Sequence, residues 1–114
     1  MLSATGANTG LLGFTTRNLN RHFGVGEKND HSGQYPQFTK EQYAQRALEL
    51  ASSPVGKNVL GYKALRGIFK GSIVRYDILT NDWVRGTPSG IATMFKPDDG
   101  AAYFERIKIV ETGR

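Results

Sequence analysis

The stretch 71–104, GSIVRYDILTNDWVRGTPSGIATMFKPDDGAAYF, decides the fold. Within it Ser72–Leu79 alternates, with Val74, Tyr76 and Ile78 on one face and Arg75 and Asp77 on the other. That is the two-residue period of a half-buried strand. Thr80-Asn81-Asp82 is turn chemistry, because Asn and Asp accept left-handed backbone and bond back to the chain. Trp83–Arg85 returns as the hairpin partner, Pro88-Ser89-Gly90 turns again, and Ile91–Lys96 is the next strand. There Ile91, Thr93 and Phe95 oppose Ala92, Met94 and Lys96. A turn at Pro97-Asp98-Asp99-Gly100 leads to Tyr103–Val110, which reads as a last strand.

Upstream of this region the pattern is helical. Thr39 and Gln42 form a T-x-x-Q capping box, and Phe38 and Tyr43 stand at the staple positions around it. Tyr43, Ala44, Ala47, Leu48 and Ala51 mark one face of a helix over Lys40–Ala51, which Ser52-Ser53-Pro54 ends. Thr15 or Thr16 caps a shorter helix in which Leu19 and Phe23 share a face. Between the two, 24–37 is a polar loop holding three glycines and a proline. Residues 1–13 are small and Gly-rich and read as a flexible lead-in. After a loop at 54–58, Tyr62–Phe69 reads as one or two short strands interrupted by Gly67.

Helices first and a meandering sheet afterwards predict an α+β domain over 1–114: N-terminal helices on a small twisted antiparallel sheet of about four to five strands. The helix at 40–51 is expected to cover one sheet face, leaving the opposite face open and charged. At 114 residues the chain makes one domain with a modest core. It has no cysteine, which removes disulfides and thiolate metal sites. No window approaches the roughly 18 apolar residues that span a bilayer, and no signal-peptide pattern opens the sequence. The net charge of +5 is concentrated in 57–96, where seven Lys and Arg stand against two Asp. Such an excess suits a polyanion, an acidic protein partner or simply a solvated basic face.

The chemistry-bearing residues are the two histidines, His22 and His31, with Arg75, Asn81, Thr93, Lys96 and Tyr103 on or near the sheet. RNA can be cut without a metal because its own 2′-OH is the nucleophile. The protein then supplies a base for that hydroxyl, an acid for the 5′ oxygen, and donors or cations for the charged phosphorane. Histidine serves either proton-transfer role. Every one of these residues also has a plain structural use: Arg75 can pair with an aspartate, Thr93 can fill a half-buried strand, Lys96 can end a strand in water. Metal-nuclease, P-loop and dinucleotide-binding motifs are absent from the sequence. No cofactor or metal is expected.

Beyond these residue types, RHF at 21–23, DHSG at 30–33 and FTKEQYAQRALEL at 38–50 form an ordered series. Tyr76-Asp77, Thr80-Asn81, Gly90-Ile91, Thr93, Phe95-Lys96-Pro97 and Tyr103-Phe104 continue it. Over 19–104 the series resembles the C-terminal toxin domains of contact-dependent growth inhibition effectors and other polymorphic toxins. The resemblance implies a ribonuclease of the barnase/EndoU/colicin/RelE group, often acting on tRNA. It also implies a cognate immunity protein, a host factor such as an elongation factor, and carriage by a larger secreted protein into a target bacterium's cytoplasm. Read as a metal-independent ribonuclease, the chain is expected to use His22 or His31 to move the proton, Lys96 and Arg75 to stabilise phosphate charge, Thr93 to donate to a phosphoryl oxygen, and Tyr103 or Asn81 to position substrate. A non-catalytic RNA-binding module and a toxin of different chemistry are the alternatives.

Overall fold

The capping box closes as its residues require. In the computed structural model, which describes residues 13–24, 27 and 29–114, Thr39 Oγ1 accepts from the Gln42 amide (3.1 Å) and Gln42 Oε1 accepts from the Thr39 amide (2.8 Å). The helix they start, α2 (Lys40–Ala51), has the predicted bounds, and its predicted face is buried together with Leu50. Thr15 caps the shorter helix α1 (Thr16–His22) by accepting from the Asn18 amide. Of the expected lead-in over 1–13 only Gly13 is described; residues 1–12 lie outside the described residues, as do 25, 26 and 28 of the expected loop.

Four strands follow: β1 (Val59–Lys63), β2 (Ile73–Asp77), β3 (Asp82–Thr87) and β4 (Gly90–Phe95). They form an antiparallel meander in sequence order. Both hairpins in 71–104 form where their turn residues stand, and Asn81 takes the left-handed conformation (φ 64°) that Asn tolerates. The first strand lies earlier than expected, because 64–72 is a turn-rich loop rather than a strand. Gly61 in β1 leaves room for Arg75: a Cβ there would stand 2.5 Å from the guanidinium.

The predicted final strand is a helix, α3 (Ala101–Thr112), ended by Gly113 in left-handed backbone. Alternation at Ile107, Lys108 and Ile109 imitates a strand. The same residues place Tyr103, Ile107 and Glu111 four apart, on one helical face beside Phe104. That face packs on the sheet. Phe104 joins Val74, Tyr76 and Trp83 in a second core, with Tyr103 and Ile107 packed against it. The sheet face expected to stay open and charged is therefore covered. α2 lies on the other face, over Val84, Ile91 and Met94. The result is α+β, with the sheet between α2 and α3 and α1 at its edge.

A buried ion pair ties α3 down. Arg85 is 4% exposed, lies 4.0 Å over the Phe69 ring, and grips Glu111 with both guanidinium nitrogens (2.8 and 3.1 Å). Ser72 Oγ and Tyr62 Oη complete the network. Removing one partner of such a pair leaves a desolvated charge behind. Glu111→Ala should lower stability by about 3–5 kcal/mol, read by urea unfolding, and Arg85→Met with Glu111→Leu should restore much of it. An unchanged unfolding midpoint for Glu111→Ala would refute this anchoring role.

Candidate active site

β4 is an edge strand, and segment 13–22 closes its free side. The Ile91 amide donates to the Gly13 carbonyl (3.4 Å), and Asn18 Nδ2 donates to the carbonyls of Ile91 (2.8 Å) and Ala92 (3.0 Å). Gly90 makes the approach feasible: its φ is +137°, and a Cβ there would sit 2.8 Å from the Gly13 oxygen. Satisfying an edge in this way removes a row of unpaired backbone groups and fixes where α1 ends.

The same stretch of β4 carries a bulge. Arg85 pairs with Thr93 while Gly86 pairs with Ile91, so Ala92 is the extra residue. A bulge switches which face the following residues meet. Ile91 thus joins Met94 in the α2 core, whereas Thr93, in register with Arg85 and Val74, lies on the α3 face with Phe95. The expectation that Ile91, Thr93 and Phe95 share a face is corrected by this single residue. Thr93 becomes a polar group at the margin of the sheet rather than filler beneath it.

Thr93 meets the histidines there. His22 closes α1, and its Nδ1 lies 3.1 Å from Thr93 Oγ1. The His31 amide donates to the His22 carbonyl (2.8 Å), which brings the second ring back beside the first, 5.6 Å between centres. His31 also stacks on Phe95 (5.4 Å), and Phe95 meets Tyr103 edge-on (5.5 Å). The DHSG motif explains the placement of His31. Asp30 accepts from the Ser32 amide (2.8 Å) and hydroxyl (2.9 Å), holding the turn that leads into a single 3-10 turn at Ser32–Gln34. Gln34 then bonds both the amide and the carbonyl of Lys96, acting as a strand partner for the end of β4.

Both imidazoles are biased towards the neutral form. Burial first, then the charges of His31 and Arg21, push the His22 pKa down to about 4. Burial also lowers that of His31, with the Asp30 carboxylate working in the opposite direction. Two such rings take up a first proton more readily than a second, an arrangement suited to passing a proton between groups held on either side of a reacting atom.

Four of the seven expected site residues thus converge: His22, His31, Thr93 and, through Phe95, Tyr103. The other three are occupied in the fold. Lys96 Nζ is bound to Asp82 (2.9 Å) and the Thr80 carbonyl, above the Tyr35 ring. Arg75 faces α2 and donates to the Ser53 carbonyl at that helix's end. Asn81 accepts from Tyr76 Oη and donates to the Pro97 carbonyl, bracing the turn. Arg75, Arg85 and Lys96 are therefore occupied in the fold, whereas Lys57, Lys63, Arg66 and Lys70 are exposed, on β1 and the loops that flank it.

On α1 stand two arginines that the sequence reading passed over, one of them next to His22. Arg17 and Arg21 are exposed on α1, and among the described residues neither has an acidic partner within 4.0 Å. Their signal was available: they stand four apart, and Arg21 adjoins His22. Among the described residues no three His, Asp or Glu side chains converge as metal ligands, and no helix is long and apolar enough to cross a membrane. Compared with models of known protein families and with curated proteins, the chain matches none.

The depressed His22 pKa sets a direction for pH effects. The unfolded chain takes up the proton first, so the contribution to stability is full above the ordinary value of 6.5 and is lost as pH falls towards 4. Histidine-detected NMR should show the His22 ring titrating near pH 4, and added inorganic phosphate should move that midpoint upward. A midpoint at 6.5 in the free protein would mean that the ring is neither buried nor coupled as described.

Proposed function

We propose that this domain is a metal-independent endoribonuclease. The observation that carries the reading is the His22–His31 pair, 5.6 Å between ring centres with Thr93 bound to the first ring. His22, neutral through the physiological range, takes the proton from the 2′-OH. The new O2′–P bond forms as the P–O5′ bond breaks, and His31, whose protonated form Asp30 favours, gives its proton to the departing 5′ oxygen. The products carry 2′,3′-cyclic phosphate and 5′-OH ends. Thr93 orients His22 and stands close enough to donate to a phosphoryl oxygen, while Phe95 and Tyr103 offer aromatic surface for a base.

The motif series over 19–104 supports placing this activity in an antibacterial toxin domain. In that reading tRNA is the leading substrate, a cognate immunity protein blocks the site, and a larger secreted or surface protein delivers the domain to the cytoplasm of a target bacterium. A host factor such as an elongation factor belongs to the same reading. One observation favours a second reading, RNA binding without cleavage: Lys96, the expected phosphorane cation, is held by Asp82 instead.

Incubating the purified domain with total bacterial RNA in EDTA separates the two. Discrete fragments with cyclic phosphate ends are expected. His22→Ala and His31→Ala should each slow cleavage by about 10²–10⁴. In the free enzyme a base titrating near 4 and an acid titrating below 6.5 place the optimum of kcat/KM on the acid side of neutrality. RNA left intact in EDTA, or cut equally well by both histidine variants, would defeat the histidine mechanism.

A further inference from the structure

A cleft of about 510 Å³ lies between α1 and the β3–β4 hairpin. Its lining includes Arg17, Asn18 and Arg21 from the helix and Thr87 and Ser89 from the hairpin. Among the described residues no acidic side chain borders it. Arg17 and Arg21 are one helical turn apart and so project from the same side of α1. On the opposite wall Thr87 Oγ1 donates to the Gly90 carbonyl (2.9 Å) and lies 3.0 Å from Ser89 Oγ, so Ser89 is the hydroxyl that can turn to a phosphoryl oxygen. The floor runs through Ile91 and Ala92, and Ala92 is followed by Thr93. At the other side Arg21 is followed by His22. The helical wall and the floor of the cleft are therefore each one residue along the chain from the histidine site.

We propose that this cleft holds the backbone of single-stranded RNA beside the scissile phosphate, with Arg17 and Arg21 each pairing with one phosphate. The inference rests on the ribonuclease reading for its choice of ligand and supplies the phosphate-binding cations that Lys96 and Arg75 do not. Among the described residues the two guanidiniums have no carboxylate partner within 4.0 Å, and their planar donors match the phosphate fork geometry. An acidic polypeptide would be drawn by the same charges, but only an RNA would also place a phosphodiester at the adjoining imidazoles.

The test uses a labelled 2′-O-methyl RNA oligonucleotide, which lacks the nucleophile and so reports binding independently of cleavage. Fluorescence anisotropy across a salt series should give a log–log slope that falls by about 1.4 in Arg17→Ala/Arg21→Ala, because each single-strand phosphate contact contributes about 0.7. Affinity at moderate salt should fall on the order of tenfold or more. Lys57→Ala/Lys63→Ala removes the same charge from the far sheet edge and should leave the slope almost unchanged. Equal loss in both pairs would show a diffuse field and overturn the proposal, as would an unaltered slope in the arginine variant. Binding of poly-glutamate as tight as that of RNA, lost with the same arginines, would assign the cleft to an acidic protein and overturn it as well. Failure of the nuclease reading shows separately, as intact RNA in the EDTA assay with this slope difference preserved.

Discussion

Asp82 is the constraint on which the rest of the structure depends. It is 3% exposed and takes hydrogen bonds from Tyr35 Oη, Thr80 Oγ1, Arg46 Nε and Lys96 Nζ. Those four donors come from the loop that carries His31, the β2–β3 turn, α2 and the end of β4. Burial alone would raise the Asp82 pKa, yet the bonds from Lys96, Tyr35 and Thr80 and the Lys96 charge together hold it below the ordinary carboxylate value. One carboxylate thereby fixes the relative positions of a helix, a hairpin and a loop. Because burial has already removed its water, each donor matters more than it would on the surface.

The use of Lys96 in this hub changes the electrostatics of the site. Its charge is spent on Asp82, and Arg85 is likewise matched by Glu111. What remains near His22 is Arg21, which among the described residues has no acidic partner within 4.0 Å. The two imidazoles consequently sit in a neutral-biased, half-buried setting with a cation at one side, where an arriving phosphate would raise their proton affinity. Lys96 and Arg85 are thus matched by carboxylates inside the fold, whereas Arg17 and Arg21 are exposed and, among the described residues, without an acidic partner.

Aromatic packing joins the two histidines to the second core. His31 lies on Phe95, and Phe95 contacts both Trp83 (5.3 Å) and Tyr103 (5.5 Å). α3 therefore supports the site indirectly, since Tyr103 is on its first turn and Glu111 on its last. Loss of that helix would expose Trp83 and release the surface against which His31 stacks.

Local chemistry was legible in the sequence by itself. The capping box and the Ser-Ser-Pro stop set α2, and the Asn81 and Pro88-Ser89 turns set both hairpins, because each signal involves residues a few positions apart. The pairing of His22, His31 and Thr93 in one site was legible as residue types in an ordered motif series, though not as geometry. Tertiary structure decided three things. It made 101–112 a helix, since the bare face at Val74, Tyr76 and Trp83 needed an apolar cover and the Ile107–Ile109 alternation could not express that. It turned Thr93 towards His22 through the Ala92 bulge, whose position depends on pairing with β3. It also drew Lys96 and Arg75 inward, because their partners Asp82 and Ser53 lie 14 and 22 residues away in the chain. Spacing within a sequence records neighbours along the backbone, whereas the partners that satisfy a buried charge are chosen in space.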